Sequence, residues 1–247
     1  MKGKSVIYKS LLDGWKKFAV LIDPDKYSSA QIKDVAGQAE KYAVDFIFFG
    51  GSLLTEDNHD RYISILKDHC SIPVLLFPGN YLQLNGKSDG ILLLSLISGR
   101  NPEMLIGKHV IAAPLLKSSN LEIIPTGYML IDSGKPTAVS YMSNTTPIPP
   151  DKDDIAACTA MAGEMLGMKL IYLDAGSGAL HAVSLPLIKN VRKHIDIPLI
   201  VGGGIKTPHQ AIAACNAGAD VIVAGNAVEN DLSLIESFSR AIHKLNR

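Results

Sequence analysis

The sequence is short of cysteine, of net charge and of long apolar runs, and each shortage argues against a class of protein. Its three cysteines, Cys70, Cys158 and Cys215, are odd in number, far apart and in no ligand spacing. That pattern speaks against a disulfide framework or a structural zinc site and for a reducing, cytoplasmic setting. Lys plus Arg and Asp plus Glu both number 24, so the formal net charge is zero. With no basic stripe and no interleaving of basic and aromatic residues, nothing favours nucleic acid as a partner. No apolar run approaches the length of a bilayer span, and no apolar core follows Lys2 and Lys4 as a signal peptide would require. A lipid-like substrate, met by peripheral contact with a membrane, stays compatible with this pattern. No linker, low-complexity tract or second domain interrupts the 247 residues, a length at which an α/β barrel runs as one domain.

What the chain does have is a set of apolar runs that stop abruptly in small residues. LIYLDAGSGA, residues 170–179, ends its run in an acid and then in glycine-rich chain. IPLIVGGGI (197–205) and DVIVAGNAV (220–228) stop the same way. Strands that run out into such turns bring bare backbone N–H groups and a carboxylate to one end of a sheet, a setting suited to a phosphate and a reacting hydroxyl.

Taken in order, short β-branched or aromatic runs alternate with amphipathic stretches, the mark of repeated βα units. A first helix ends near Lys16, and strands are predicted at 18–23, 45–52, 73–80 and 89–97. Helices are predicted from Ser28 to Tyr42 and from Glu56 to His69, with a short one from Pro102. Strand five is read at 123–132, with the strand-like KPTAVSYMS (135–143) as a small hairpin extension and NTTPIPP (144–150) as an ordered loop. A helix at 151–168 leads into LIYLD, and another covers 185–194. Thr207-Pro208 starts a helix that Gly218 stops, and a last helix runs from Asp231 to Leu245. Eight parallel strands with intervening helices make a single (β/α)8 barrel.

Three constellations can carry chemistry. Gly203-Gly204 and Gly225-Asn226 end adjacent strands where barrels form phosphate sites, although glycines also serve simply to make tight turns. Asp23, in Asp23-Pro24-Asp25-Lys26, closes strand one, and Ser52 closes strand two; a carboxylate and a hydroxyl there make an oxygen site suited to Mg²⁺. Asp-Pro-Asp is equally a turn former, and Ser52 a helix cap. Asp174, with Tyr172 and Ser177, closes a central strand, a costly place for a charge unless it is paired or used.

LIDPDK, FFGGS, YLDAGSG, VGGGI and AGNAV, in that order and at these separations, resemble the geranylgeranylglyceryl phosphate synthases and the related heptaprenylglyceryl phosphate synthases. NTTPIP followed by a helix extends the resemblance over nearly the whole chain. It implies an Mg²⁺-dependent prenyltransferase that moves a geranylgeranyl group from its diphosphate to the sn-3 hydroxyl of sn-glycerol 1-phosphate, in ether phospholipid biosynthesis. It also implies Asp23 and Ser52 as metal positions. Tyr172, Leu173, Asp174, Ala175, Gly176, Ser177 and Gly178, with Gly203, Gly204, Gly225 and Asn226, become the glycerophosphate positions. Within the family the chain resembles the longer subgroup, archaeal type and bacterial relatives, which forms dimers or hexamers. Many members carry Glu where Asp174 stands, and Leu21 replaces a lysine of the heptaprenyl type, which argues against that type.

On this reading Asp174 is the base that accepts the hydroxyl proton. Tyr8, Leu93, Leu96, Ile97, Tyr128 and Met129 are candidates to line a channel for the isoprenoid tail, or else ordinary core. Two other readings of the residues stay open. A phosphosugar isomerase or cyclase would share the barrel, Asp23 and the glycine turns, but would need a further acid or base at the end of strand five. A phosphometabolite-binding barrel without catalysis would bind glycerol phosphate and consume no diphosphate.

Overall fold

Alternation within the apolar runs decides what each strand buries. In β6 (Leu170–Asp174), Leu170 and Tyr172 belong to one buried cluster and Ile171 and Leu173 to another, because successive side chains leave opposite faces of a strand. β1 (Lys17–Ile22) divides likewise, with Ala19 on one side and Phe18, Val20 and Ile22 on the other. In the computed structural model these strands join β2 (Phe46–Phe49), β3 (Val74–Leu76), β4 (Gly90–Leu96), β5 (Glu122–Leu130), β7 (Leu199–Gly202) and β8 (Val221–Ala224). Each is parallel to the next and β8 pairs with β1, closing an eight-stranded barrel. One cluster fills the barrel and the other lies between strands and helices. The structure describes residues 5–53, 55–56, 58–80 and 83–246, so Lys2 and Lys4 lie outside the described residues, as does Asp57 of the helix expected from Glu56.

The helices start where their caps predict. Ser28 and Gln31 form a reciprocal capping box for α2 (Ser29–Lys41). Thr207 and Gln210 do so for α8 (Pro208–Ala217), which stops at Gly218 with φ +124°. α1 (Val6–Leu11) ends well before Lys16 and plugs the N-terminal mouth of the barrel with Ile7 and Leu11. Its first N–H groups would be orphans there. The Glu122 carboxylate accepts from the amides of Ile7 at 2.9 Å and Tyr8 at 2.8 Å. α3 (His59–His69), α6 (Asp153–Met165), α7 (Leu185–His194) and α10 (Leu234–His243) complete the outer layer, and none of the helices is long and apolar enough to cross a membrane among the described residues.

The structure departs from the sequence reading elsewhere too. The stretch 135–143 is no hairpin: Thr137 and Ser140 cap each other, α5 (Ala138–Ser143) follows, and Asn144 ends it at φ 49°. The loop then returns beside β5 through a single parallel bridge between Ile131 and Ile148. Past Pro102 a π-helical turn, Glu103–Gly107, continues into α4 (Lys108–Ser118), which keeps Pro114 inside it. A short α9 (Asn226–Asn230), which the sequence reading did not foresee, precedes α10, which lies within the span 231–245 expected for the last helix. Finally, no α-helix joins β3 to β4 among the described residues, where Gln83 sits in a 3-10 turn. The barrel flank at that point is therefore covered by loop and α4, and an apolar hollow of ≈ 100 Å³ remains between them.

Candidate active site

The C-terminal end of the barrel gathers the strand-closing residues around one buried carboxylate. The β6 register sets Asp174 beside Gly202 of β7 and Leu130 of β5. Asp174 is only 7% exposed. Its Oδ1 accepts the Gly176 N–H at 2.7 Å and its Oδ2 accepts the Tyr128 hydroxyl at 2.5 Å. Burial pushes the carboxyl above the usual carboxylate range, and the hydrogen bonds from Tyr128 and Gly176 pull the other way. Burial, and then the Asp174 charge, hold the phenols of Tyr128 and Tyr172 well above their ordinary value. Asp174 is thus a carboxylate whose proton affinity is raised, facing a cavity, which is the condition a general base needs.

The β7 turn fits closely against it. A Cβ on Gly203 would lie 2.6 Å from both Asp174 Oδ1 and the Gly176 amide, and Gly203 and Gly204 take φ of +77° and +71°. Only glycine makes this approach without strain. Among the described residues the N–H groups of Gly203 and Gly204 make no backbone hydrogen bond, so they are available to an anion. Gly225 differs: a Cβ there would meet Leu21 at an ordinary 3.4 Å. Asn226 ties the β8 turn to the β6 turn, its Oδ1 accepting from Ser177 Oγ at 3.2 Å and the Gly178 amide at 3.0 Å. Leu173 and Ala175 pack in the outer layer, and Ala175 donates its N–H to Gly202 at 3.1 Å.

Across the same cavity of ≈ 430 Å³ lie Asp23, after β1, and Ser52, after β2. Burial raises the Asp23 carboxyl, with Lys26 pulling it down. A Cβ on Gly51 would stand 3.1 Å from Asp23 Oδ1, so the bare backbone of the β2 turn keeps that oxygen accessible. Asp25 faces elsewhere, its Oδ2 accepting the amide and hydroxyl of Thr55 at 2.7 and 2.9 Å. One carboxylate and one hydroxyl fit Mg²⁺, which keeps most of its shell for water and substrate oxygens. No group of three or more His, Cys, Asp or Glu able to hold a metal occurs among the described residues, so a cation here would depend on its substrate for the remaining ligands.

The apolar hollow adjoins this centre. Leu84, Ile91, Leu93, Leu96, Met104 and Leu116 line it, and Tyr128 belongs to both cavities. Of the candidate tail residues, Leu93, Leu96 and Tyr128 are here, whereas Ile97 and Met129 pack in the outer layer. Tyr8 is at the opposite mouth of the barrel beneath Lys169, 5.9 Å from its ring, and cannot touch a ligand at Asp174. Sequence reasoning missed Tyr128 as the partner of Asp174, although its place level with Tyr172 on the next strand is the signal that finds it. It also passed over Lys26 and Glu229, whose ammonium and carboxylate meet at 3.2 Å in the cavity wall.

The PcrB family matches residues 12–245. The chain is 54% identical over 241 residues to the geranylgeranylglyceryl phosphate synthase of Chitinophaga pinensis, covering 96% of each chain. To that of Thermococcus kodakarensis it is 40% identical over 237 residues, covering 96% of this chain and 93% of the other. The structure superposes with a TM-score of 0.90 on the crystal structure of (S)-3-O-geranylgeranylglyceryl phosphate synthase from Thermoplasma acidophilum in complex with its substrate sn-glycerol-1-phosphate, at 33% identity over 96% of this chain and 97% of that one. More distant barrels, such as the orotidine 5'-phosphate decarboxylase of Pyrococcus horikoshii at 17% identity and TM-score 0.59, share the fold alone.

Proposed function

The chain belongs to the PcrB family, and from that membership and the site geometry we propose that it transfers a geranylgeranyl group from geranylgeranyl diphosphate to the sn-3 hydroxyl of sn-glycerol 1-phosphate. The N–H groups of Gly203 and Gly204, beside Gly225-Asn226 and the Ser177-Gly178 turn, hold the glycerol phosphate with its far hydroxyl toward Asp174. The apolar hollow past Tyr128 takes the isoprenoid next to the reacting carbon, and Asp23 with Ser52 receives the diphosphate end together with its metal. Asp23 and Ser52 would hold Mg²⁺, which would supply charge neutralisation for the departing diphosphate. The hydroxyl oxygen bonds to the allylic C1, the C1–O bond breaks with its electron pair leaving on the diphosphate, and Asp174 takes the hydroxyl proton. Fixed juxtaposition of the two substrates contributes much of the acceleration.

One observation carries this reading: a polar cavity lined by glycine turns and an apolar hollow share Tyr128, which is hydrogen-bonded to a buried carboxylate. A phosphosugar enzyme has no use for the hollow. Incubating the protein with sn-glycerol 1-phosphate, Mg²⁺ and labelled geranylgeranyl diphosphate tests it, the expected result being label in a phosphatase-sensitive ether lipid. Recovery of unconsumed diphosphate would leave only a binding barrel. The free thiols of Cys70, Cys158 and Cys215 support a cytoplasmic location. The exposed apolar side chains Val110, Ile111 and Leu115 on α4 support a homo-oligomer.

A further inference from the structure

The wall of the polar cavity holds a cation with no role so far. Lys26 ends the tight turn that begins at Asp23, with its amide bonded to the Asp23 carbonyl at 3.0 Å and the buried Pro24 fixing the chain between them. Its ammonium stands 3.2 Å from Glu229 Oε2 and 3.7 Å from Asp23 Oδ2. Glu229 comes from α9 and also accepts from Asn226 Nδ2 at 3.4 Å. Asp25, the other acid of the turn, is taken up by Thr55. Lys26 is thus held from the β8 side by Glu229 and reaches over to the carboxylate assigned to the metal.

Resting on the prenyl-transfer reading, we infer that Lys26 binds the departing diphosphate, with Glu229 as the positioning residue that presents its ammonium. A diphosphate carries more negative charge than one divalent cation offsets, and cations aimed at the departing oxygens act where that charge develops. Lysine has three donors. Glu229 occupies one, and a metal that took the Asp23 charge would free the donor that now stands 3.7 Å from Asp23 Oδ2 for a diphosphate oxygen in the cavity that Lys26 lines. The paired carboxylate also keeps the long side chain ordered before substrate arrives, lowering the entropic cost of binding.

The probe is inorganic pyrophosphate with Mg²⁺, measured by calorimetry and as a product inhibitor. Lys26→Met, which keeps the stem and removes the charge, is expected to weaken pyrophosphate binding and raise KM for the prenyl diphosphate by about tenfold or more, while KM for sn-glycerol 1-phosphate moves less than about twofold. Lys26→Arg should keep pyrophosphate affinity within about threefold of wild type. Lys26 is a third exposed, so both variants are expected to fold. Unchanged pyrophosphate affinity in Lys26→Met, or a loss that falls on glycerol phosphate instead, overturns the inference. Because wild-type prenyl transfer is measured alongside, an inactive wild type would count against the function, and an active wild type with an indifferent Lys26→Met against Lys26 alone.

Discussion

The Tyr128 hydroxyl donates to Asp174 Oδ2 at 2.5 Å, where the apolar hollow and the polar cavity share a wall. The bond favours the charged form of a carboxyl that burial otherwise keeps protonated to higher pH. Removing it in Tyr128→Phe should let the Asp174 carboxyl rise further. The acid limb of the kcat profile is then expected to move to higher pH, with turnover at neutral pH falling roughly tenfold to a hundredfold. An acid limb that stays in place would separate Tyr128 from the proton transfer.

The same burial makes Asp174 a stability liability above its pKa. Its folded value is raised, so its contribution to stability is fully present below the unfolded carboxylate value and lost as pH rises through the folded one. Asn at this position stays neutral throughout. Asp174→Asn is therefore expected to melt above the wild type near about pH 8, the gap closing toward about pH 4. A lower Tm at both values would mark Asp174 as a structural residue.

How much of this was legible from residues alone depends on where local and tertiary terms agree. LIYLD, VGGG and VIVAG read correctly as strand ends because burial on both faces and glycine turns leave local marks. KPTAVSYMS misled because Val139 and Tyr141 favour strands, while the helix there rests on the Thr137–Ser140 capping box. The helix from Pro102 was read only as a short one, whereas α4 runs through Pro114, a helix breaker by propensity that tertiary context overrides. The lack of an α-helix between β3 and β4 among the described residues, and hence the hollow, had no residue of its own to announce it. Asp174 was found from its place at a strand end, but its partner Tyr128 was read only as tail channel or ordinary core, since strand register is needed to bring them together.

The glycine turns are not equivalent. Gly203→Ala would drive a methyl into Asp174 Oδ1 and the Gly176 amide at positive φ, whereas a Cβ on Gly225 finds ordinary contact distances. Gly203→Ala is expected to lose about 1–3 kcal/mol of stability and to raise KM for glycerol phosphate well beyond that for the prenyl diphosphate. Gly225→Ala should be milder on both counts. Equal effects in the two variants would refute the close approach of the β7 turn to Asp174.

Asp23→Asn keeps the shape of the β1 terminus and removes the charge beside Ser52. We expect turnover to fall and the Mg²⁺ concentration for half-maximal rate to rise, with glycerol phosphate binding nearly unchanged. Wild-type activity of this variant in the presence of EDTA would take magnesium out of the mechanism.

Ala112 is buried on α4 at the wall of the hollow. A bulkier side chain there should fill space the isoprenoid uses, so Ala112→Phe is expected to shift preference toward shorter prenyl diphosphates with KM for glycerol phosphate unchanged. Comparing kcat/KM across a series of chain lengths checks this, and an unaltered preference would place the tail elsewhere.

The single-turnover rate of Asp174→Asn at saturating substrates bears most directly on whether this carboxylate takes the proton. Asparagine nearly preserves shape and can still meet Tyr128 and Gly176. A protein that binds both substrates yet loses roughly two to four orders of magnitude in rate, while Asp174→Glu retains far more, is the expected result. An asparagine variant of normal stability that turns over within a few-fold of wild type would show that Asp174 is not the base and that the neutral hydroxyl attacks a carbocation-like centre unaided.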